Sequence, residues 1–309
     1  MSDSARFAAG AQRLLETYRA NPTPSARVLI VTLFGDAIVP HAEDAWLGSL
    51  AALLEPLGIT DRLVRTSVRR LVAEGLLINR QEGRRSFYSV HPGARSTFWR
   101  AEQRIYRSHV PAWDGQWTLA IIDADTEADT RQAIRRDLGW MGLGPLTPTV
   151  LVSPTLQPEE VIEQLDPAQR PHLLVTKSTV QGTGATMTDQ ELVAQASPLS
   201  QLRADYEDFI DRYGGLAESA EGASDVDPSA AFAIRSLMVS DYRRIVLADP
   251  GLPDELVPDD WPERTAAEVA TQLYRALLGP SDMQLTATCI TGAGALELNR
   301  GAYATRFAG

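Results

Sequence analysis

The sequence predicts a mixed α+β protein: an N-terminal helical segment with a hairpin, a middle α/β domain and a C-terminal helical domain. Three observations support this order. Apolar residues recur at helical spacing in the first 75 residues and again after residue 188. Between them, short β-prone runs alternate with helices. The chain has 309 residues, 44% of them hydrophobic, which is enough to form more than one buried core.

Breakers and caps set the limits of the N-terminal elements. Residues 1–24 form a leader that runs into the breaker cluster 21–25. An apolar helix is predicted over residues 27–34, and a second, with leucines at helical spacing, over residues 46–57. The third helix covers residues 61–73, between a threonine that can act as N-cap and a glycine that can end the helix.

A hairpin and a connecting helix are predicted next. Two β-prone runs flank the turn Gln81-Glu82-Gly83. Three helices followed by a hairpin are the elements of a winged helix-turn-helix, which we assign to residues 25–93. Residues 94–112 form the connecting segment, whose amphipathic helix over 94–109 ends before Pro111.

The remainder divides into two parts. Residues 113–187 alternate strands with helices, which indicates a small ferredoxin-like α/β domain. Residues 188–309 form a helical domain, interrupted by a proline-rich loop over 248–262. The predicted strands are 117–122, 149–153 and 173–177, and the predicted helices are 127–138, 158–165, 188–215, 228–247 and 263–279.

Charge is divided unevenly along the chain. Residues 1–110 carry fifteen arginines and ten acidic residues, a net charge of +5, whereas the remaining 199 residues carry fourteen basic and thirty acidic residues, a net charge of −16. The whole-chain net charge of −11 hides this difference. Such asymmetry indicates a compact module that faces nucleic acid, attached to an acidic body.

The third predicted helix places its polar residues on one face. At about 100° per residue, its arginines and a threonine fall on one side, and Val64, Val68 and Leu71 fall on the other. Guanidinium groups can bind guanine edges, and basic hairpin residues can bind phosphates. The alternative is a merely solvated helix face. The residues predicted to bind double-stranded DNA are Arg62, Arg65, Thr66, Arg69, Arg80, Arg84 and Arg85.

Other chemistry has little support in the sequence. The single cysteine, Cys289, excludes an internal disulfide framework, and the four histidines lack metal-ligand spacing. We therefore predict no cofactor and no metal. The first 20 residues lack the apolar core of a secretory signal, and no apolar run is long enough for a bilayer, so we expect a cytoplasmic protein without a membrane partner.

Several motifs follow one another in collinear order between residue 27 and about residue 280. They are LFGD at 33–36, WLGSL at 46–50, RLVRTSVRRL at 62–71, GRRSFY at 83–88, WDGQW at 113–117, YRR at 242–244 and PDDWP at 258–262. Together these motifs resemble the PaaX family of transcriptional regulators. The resemblance implies a repressor that binds operator DNA as a homodimer, a middle domain of Cas2-like fold, and release from DNA by phenylacetyl-CoA.

An acyl-CoA effector would require cations for its phosphates and an apolar slot for its acyl group. Alternatively, the arginines of the YRR motif pair with nearby carboxylates such as Asp249 and Asp259, and the tryptophan of PDDWP belongs to the core. The residues predicted to bind the effector are Tyr242, Arg243, Arg244 and Trp261.

Two rival functions remain at this stage, although we predict no enzymatic activity. The first is a Cas2-like metal-dependent nuclease, in which Asp123 and Asp125 would hold Mg²⁺ at the end of a strand. The second is a constitutive DNA-binding protein without a ligand. Trp113, Trp117 and Trp140 are expected to pack at the domain junction.

Overall fold

The computed structural model describes residues 2–106, 112–179, 187–197, 199–299, 301, 303, 306 and 307. The chain divides into two compact units. The N-terminal segment and most of the C-terminal helices lie in one of them. The first unit comprises Met1–Ser108, Tyr206–Leu247 and Glu263–Gly309, and the second comprises His109–Asp205 and Ala248–Pro262.

The first unit begins with four helices. Helix α1 is capped by the Ser2 hydroxyl, which accepts from the Ala5 amide. A π-helical turn over Phe34–Ile38 extends the second helix, so that the amide of Val39 donates to the carbonyl of Phe34. The predicted leader is thus an ordered helix. The helices are α1 (Asp3–Ala20), α2 (Ala26–Leu33), α3 (Leu47–Leu54) and α4 (Asp61–Ala73).

A three-stranded antiparallel sheet follows these helices. The predicted hairpin is confirmed, with Arg80 opposite Phe87. A third strand, which the sequence analysis missed because it is only three residues long, pairs with the hairpin and places Asp44 opposite Ser89. The sheet order is β1-β3-β2. The strands are β1 (Asp44–Trp46), β2 (Leu77–Glu82) and β3 (Arg85–Val90).

The C-terminal elements, including the helix over Leu199–Ala220 from Tyr206 onward, complete the first unit. Helix α5 begins at Arg95 and is described to Ile105; the predicted continuation over 107–109 lies outside the described residues. A small C-terminal hairpin lies against β1, where the Gly292 amide donates to Asp44 Oδ1 at 2.7 Å. The elements are α5 (Arg95–Ile105), α9 (Leu199–Ala220), α10 (Pro228–Ala248), α11 (Glu263–Thr288), β8 (Ile290–Thr291) and β9 (Gly294–Ala295).

The second unit has the ferredoxin-like order β-α-β-β-α-β. Its three predicted strands are present, and a two-residue strand, Gly144–Pro145, which the sequence analysis missed, is the fourth. Its four strands form an antiparallel sheet in the order β5-β6-β4-β7. Alternation along β4 sends Ala120 and Ile122 into one core cluster and Trp117 into another. The elements are β4 (Trp117–Ile122), α6 (Ala128–Met141), β5 (Gly144–Pro145), β6 (Val150–Ser153), α7 (Pro158–Gln164), β7 (Leu173–Ser178) and α8 (Asp189–Ala196).

The tryptophans of this unit differ from one another. Trp117 is buried and meets Trp113 edge to face, with ring centroids 5.8 Å apart. Trp140 is 84% exposed, so the packing expected of it is wrong: it lies near the end of α6, on the side turned away from the core residues Ile134 and Leu138. Among the described residues, none of the helices combines the length and apolarity needed to cross a bilayer.

Candidate nucleic-acid interface

Helix α4 has one buried and one exposed face. The Thr60 hydroxyl accepts from the Leu63 amide at its start, and Asp61 places negative charge at the positive end of the helix. The side chains of Val64 and Val68 are fully buried in the core of the first unit. Because this packing fixes the rotation of the helix, its opposite face is held toward solvent.

All four predicted residues of α4 are exposed on that face: Arg62, Arg65, Thr66 and Arg69. Arg65 Nε lies 2.6 Å from Asp61 Oδ2, one helical turn earlier. The Thr66 hydroxyl donates to the carbonyl of Arg62 at 2.9 Å. Within the described ranges, Arg62 and Arg69 form no ion pair, so their guanidinium donors are available to an acceptor outside the chain.

The three predicted hairpin arginines are exposed as well. Arg80 is held between Asp44 Oδ2, at 2.9 Å, and Glu82 Oε2, at 2.7 Å. Arg85 lies over the ring of Trp46, 5.1 Å from its centroid. Arg84 follows the turn glycine and has no ion pair among the described residues. In the hairpin, Arg80 is therefore held by ion pairs, Arg85 stacks on a tryptophan ring, and Arg84 is available to a phosphate.

Asp44 connects this surface to the C-terminal hairpin. One of its carboxylate oxygens binds Arg80 and the other accepts from the Gly292 amide. A Cβ at position 292 would collide with Arg80 Nη2, so a larger residue there would require the Arg80 side chain to move away from Asp44. No local pattern predicts this contact, because Asp44 and Gly292 lie 248 positions apart in the chain.

A buried charge cluster lies behind the interface, in the same unit. Asp36 is in the π-helical turn; its Oδ2 lies 2.9 Å from Arg235 Nε, and its Oδ1 lies 3.1 Å from Arg306 Nη1. Tyr106 donates to the same Oδ1 at 2.6 Å. Burial by itself raises the pKa of Asp36, but Arg235 and Arg306 outweigh it and hold that pKa below its usual value.

The cluster joins five segments. Arg235 lies on α10, and Arg306 lies in the C-terminal segment and also binds Glu102 of α5 at 2.7 Å. Tyr274 of α11 donates to Asp36, and its ring lies under the Arg235 guanidinium, 4.5 Å from the centroid. The sequence analysis missed this cluster. The one available signal was an arginine in the apolar run 230–239, since such a charge is buried only with partners.

The four residues predicted to bind an effector have different surroundings. Tyr242 is buried, with its ring 5.4 Å from that of Phe209. Arg243 is partly buried and lines a cavity, whereas Arg244 is exposed. Trp261 belongs to the second unit, where it packs into the apolar core and carries the guanidinium of Arg203 at 5.3 Å.

The nuclease alternative depends on Asp123 and Asp125, which are both exposed after β4. The Asp123 carboxylate accepts from the amide of Asp125 at 3.0 Å, which is the geometry of a turn that ends a strand. The described residues contain no group of three or more His, Cys, Asp or Glu side chains arranged to hold a metal ion. Cys289 is buried, which raises the pKa of its thiol to about 12.

Comparison with known proteins agrees with this architecture. Three family models match consecutive parts of the chain: a PaaX-like protein over residues 25–91, a PaaX protein central Cas2-like domain over 110–193, and a PaaX-like protein C-terminal domain over 198–287. A solved structure, the uncharacterized protein Rv0674 from Mycobacterium tuberculosis, shares the fold with a TM-score of 0.56 at 22% identity, covering 84% of this chain and 98% of the other.

A curated relative extends the match along the chain. The transcriptional repressor PaaX of Escherichia coli (strain K12) is 34% identical over 298 residues, which cover 94% of this chain and 93% of the relative. Together with the three consecutive family matches, this shows that the chain belongs to the PaaX family.

Proposed function

We propose that this protein is a DNA-binding transcriptional repressor and not an enzyme. The observation that carries the proposal is the single basic surface formed by the exposed face of α4 and the hairpin. Residues 25–93 have the element order of a winged helix-turn-helix, with α4 as the helix that enters the major groove. The repressor named among its relatives supports the same role.

The finer parts of the proposal concern the assembly and the ligand. The active form is a homodimer that holds two α4 helices about 34 Å apart, so that they meet successive major grooves of one operator. The controlled genes form a phenylacetate-type catabolic operon, and an acyl-CoA such as phenylacetyl-CoA releases the protein from DNA. The proposed site of action is the cytoplasm, where the operator is accessible.

The direct test is fluorescence anisotropy with labelled DNA from upstream of the protein's own gene, at fixed salt and with an unrelated duplex as control. Salt is fixed because several phosphate contacts change affinity by orders of magnitude with ionic strength. We expect selective binding that phenylacetyl-CoA reverses. Equal affinity for both duplexes would contradict sequence-specific repression, and binding unchanged by the ligand would remove that effector from the proposal.

The nuclease alternative makes a different prediction, because a nuclease cleaves the DNA that a repressor only binds. Incubation of the operator with the protein and Mg²⁺, followed by electrophoresis, separates the two functions. Intact DNA is expected. Cleavage that disappears in Asp123→Ala would replace the repressor with the nuclease.

A further inference from the structure

A cavity of about 160 Å³ lies within the first unit, between α2, α5 and α10. An engineered apolar protein cavity of about 150 Å³ binds benzene, so this volume matches one aromatic ring. The wall is mainly hydrocarbon and includes side chains from all three helices. These are Val31 of α2, Phe98 and Ile105 of α5, and Val239 and Leu247 of α10.

One cation enters this apolar wall. Arg243 follows Val239 by one helical turn and precedes Leu247 by another, so all three share one face of α10. Its Nη1 donates to the Thr32 hydroxyl at 3.3 Å. Among the residues that the structure describes, no carboxylate forms an ion pair with Arg243, and burial lowers the pKa of its guanidinium. A partly buried guanidinium with spare donors is suited to bind an acceptor oxygen of a ligand.

The acidic residues of the wall do not serve as its partners. Asp36 and Glu102 also line the cavity. Both are bound to Arg306, at 3.1 and 2.7 Å, and Asp36 is bound to Arg235 as well. Arg243 is therefore the cation that remains for a bound carboxylate or carbonyl oxygen.

A wider groove leads outward from the cavity. It measures about 420 Å³ and shares Gly35, Phe98 and Glu102 with the inner cavity. Arg95 and Trp99 line its outer part, and Trp99 is 62% exposed. A ligand whose ring fills the inner cavity therefore has room to extend through the groove toward solvent.

We propose that the inner cavity binds the acyl end of a one-ring aromatic acid, with Arg243 on its carboxylate or carbonyl oxygen. The same chemistry fits the free acid and a thioester whose carrier lies in the outer groove. This proposal rests on the proposed function and assigns its effector site. The ligand would contact α2, which packs against α4, and also α10. It shifts the protein between states only by binding one arrangement of these helices better than another.

Calorimetric titration of the full-length protein without DNA tests the site. The probes are phenylacetate and phenylacetyl-CoA, with acetyl-CoA as a control that lacks the ring. We expect a ring-bearing probe to bind the wild type, and the affinity to fall at least about tenfold in Arg243→Gln. The matched control Arg100→Gln removes an exposed charge of α5 that does not line the cavity, and should leave the affinity unchanged. Binding of the acid identifies a free carboxylate, and binding of the thioester alone identifies the carrier-linked form.

A second variant keeps the test decisive if Arg243→Gln fails to fold. Ala101→Phe fills the cavity from α5 without changing charge; it should lose the ligand, and circular dichroism verifies that the variant is folded. An unchanged dissociation constant in a folded Arg243→Gln or Ala101→Phe protein overturns the site, as does absence of binding by both ring-bearing probes. DNA binding by the same preparations is measured separately. A protein that binds its operator but neither ring-bearing probe would refute this site without contradicting the proposed repressor function.

Discussion

The arginines of the first unit fall into two populations. The seven arginines of α4 and the hairpin are exposed, and among the described residues only Arg65 and Arg80 of these form ion pairs. Arg235 and Arg306 have side chains only 1% exposed and converge on Asp36. The same side chain thus has opposite roles. An exposed guanidinium adds little to folding and is available to phosphates and base edges, whereas a buried one is costly unless every partner stays in place.

The largest effect is expected at the centre of the buried cluster. In Asp36→Asn the neutral amide no longer compensates the two guanidiniums, and unfolding free energy should fall by about 3–5 kcal/mol. Urea denaturation monitored by circular dichroism measures the change. The exposed Asp61→Asn is the control and should lower the free energy of unfolding by no more than about 1 kcal/mol. An equal loss of unfolding free energy in the two variants would contradict the difference between buried and exposed arginines.

The exposed population should show the reverse pattern. Arg69→Ala is expected to weaken operator binding by about 1–3 kcal/mol if this residue contacts a base, with unfolding free energy unchanged. Anisotropy and urea denaturation on the same preparation measure both quantities. Arg70→Ala removes the same charge from a neighbouring position of α4 that lies about a quarter turn away, and should cost less affinity. Wild-type affinity in Arg69→Ala would remove Arg69 from the interface, and wild-type affinity in both Arg65→Ala and Arg69→Ala would remove α4.

Local patterns predicted most elements but not the contacts between distant segments. The bounds of α4 could be predicted because Thr60 and Gly75 flank a helical periodicity, and those of β4 because a β-prone run ends at Asp123. The Asp36 cluster unites residues up to 270 positions apart, and its geometry depends on how five segments pack. The same holds for Arg243: the sequence marked it as a cation, but only the packing of α2, α5 and α10 places it in a ring-sized cavity.

A smaller effect, on the pH dependence of the free energy of unfolding, tests whether the buried arginines influence His41. The Nδ1 of His41 accepts from the Asn299 amide, so the neutral ring carries its proton on Nε2, which donates to the Tyr303 hydroxyl at 2.5 Å. Burial, then Arg235 and Arg306, lowers the pKa of His41 to about 4. The unfolded chain has a histidine pKa of about 6.5 and binds more protons between these values. The stability due to neutral His41 is therefore present above pH 6.5 and is lost as pH falls toward 4.

The measurement is NMR titration of the His41 imidazole together with urea denaturation at several pH values. We expect a midpoint near pH 4 for His41. Between pH 6.5 and 4.5, before most carboxylates titrate, His41→Gln should have a shallower decline in unfolding free energy than the wild type. A His41 midpoint near 6.5 would mean that the field of the buried arginines does not extend to this ring.

The smallest change in stability is expected for the exposed ion pair between Asp61 and Arg65. Asp61 holds Arg65 Nε at 2.6 Å, with both side chains 54% exposed. An exposed pair of this spacing contributes about 0.3–0.5 kcal/mol, so Asp61→Asn leaves folding nearly intact. It also removes a negative charge from the basic face and releases Arg65, so affinity for the operator should rise at low salt, and the gain should shrink as salt is added. Anisotropy at two salt concentrations measures this; weaker binding in Asp61→Asn would mean that the pair orients Arg65 toward DNA, and that an engaged arginine also serves the interface.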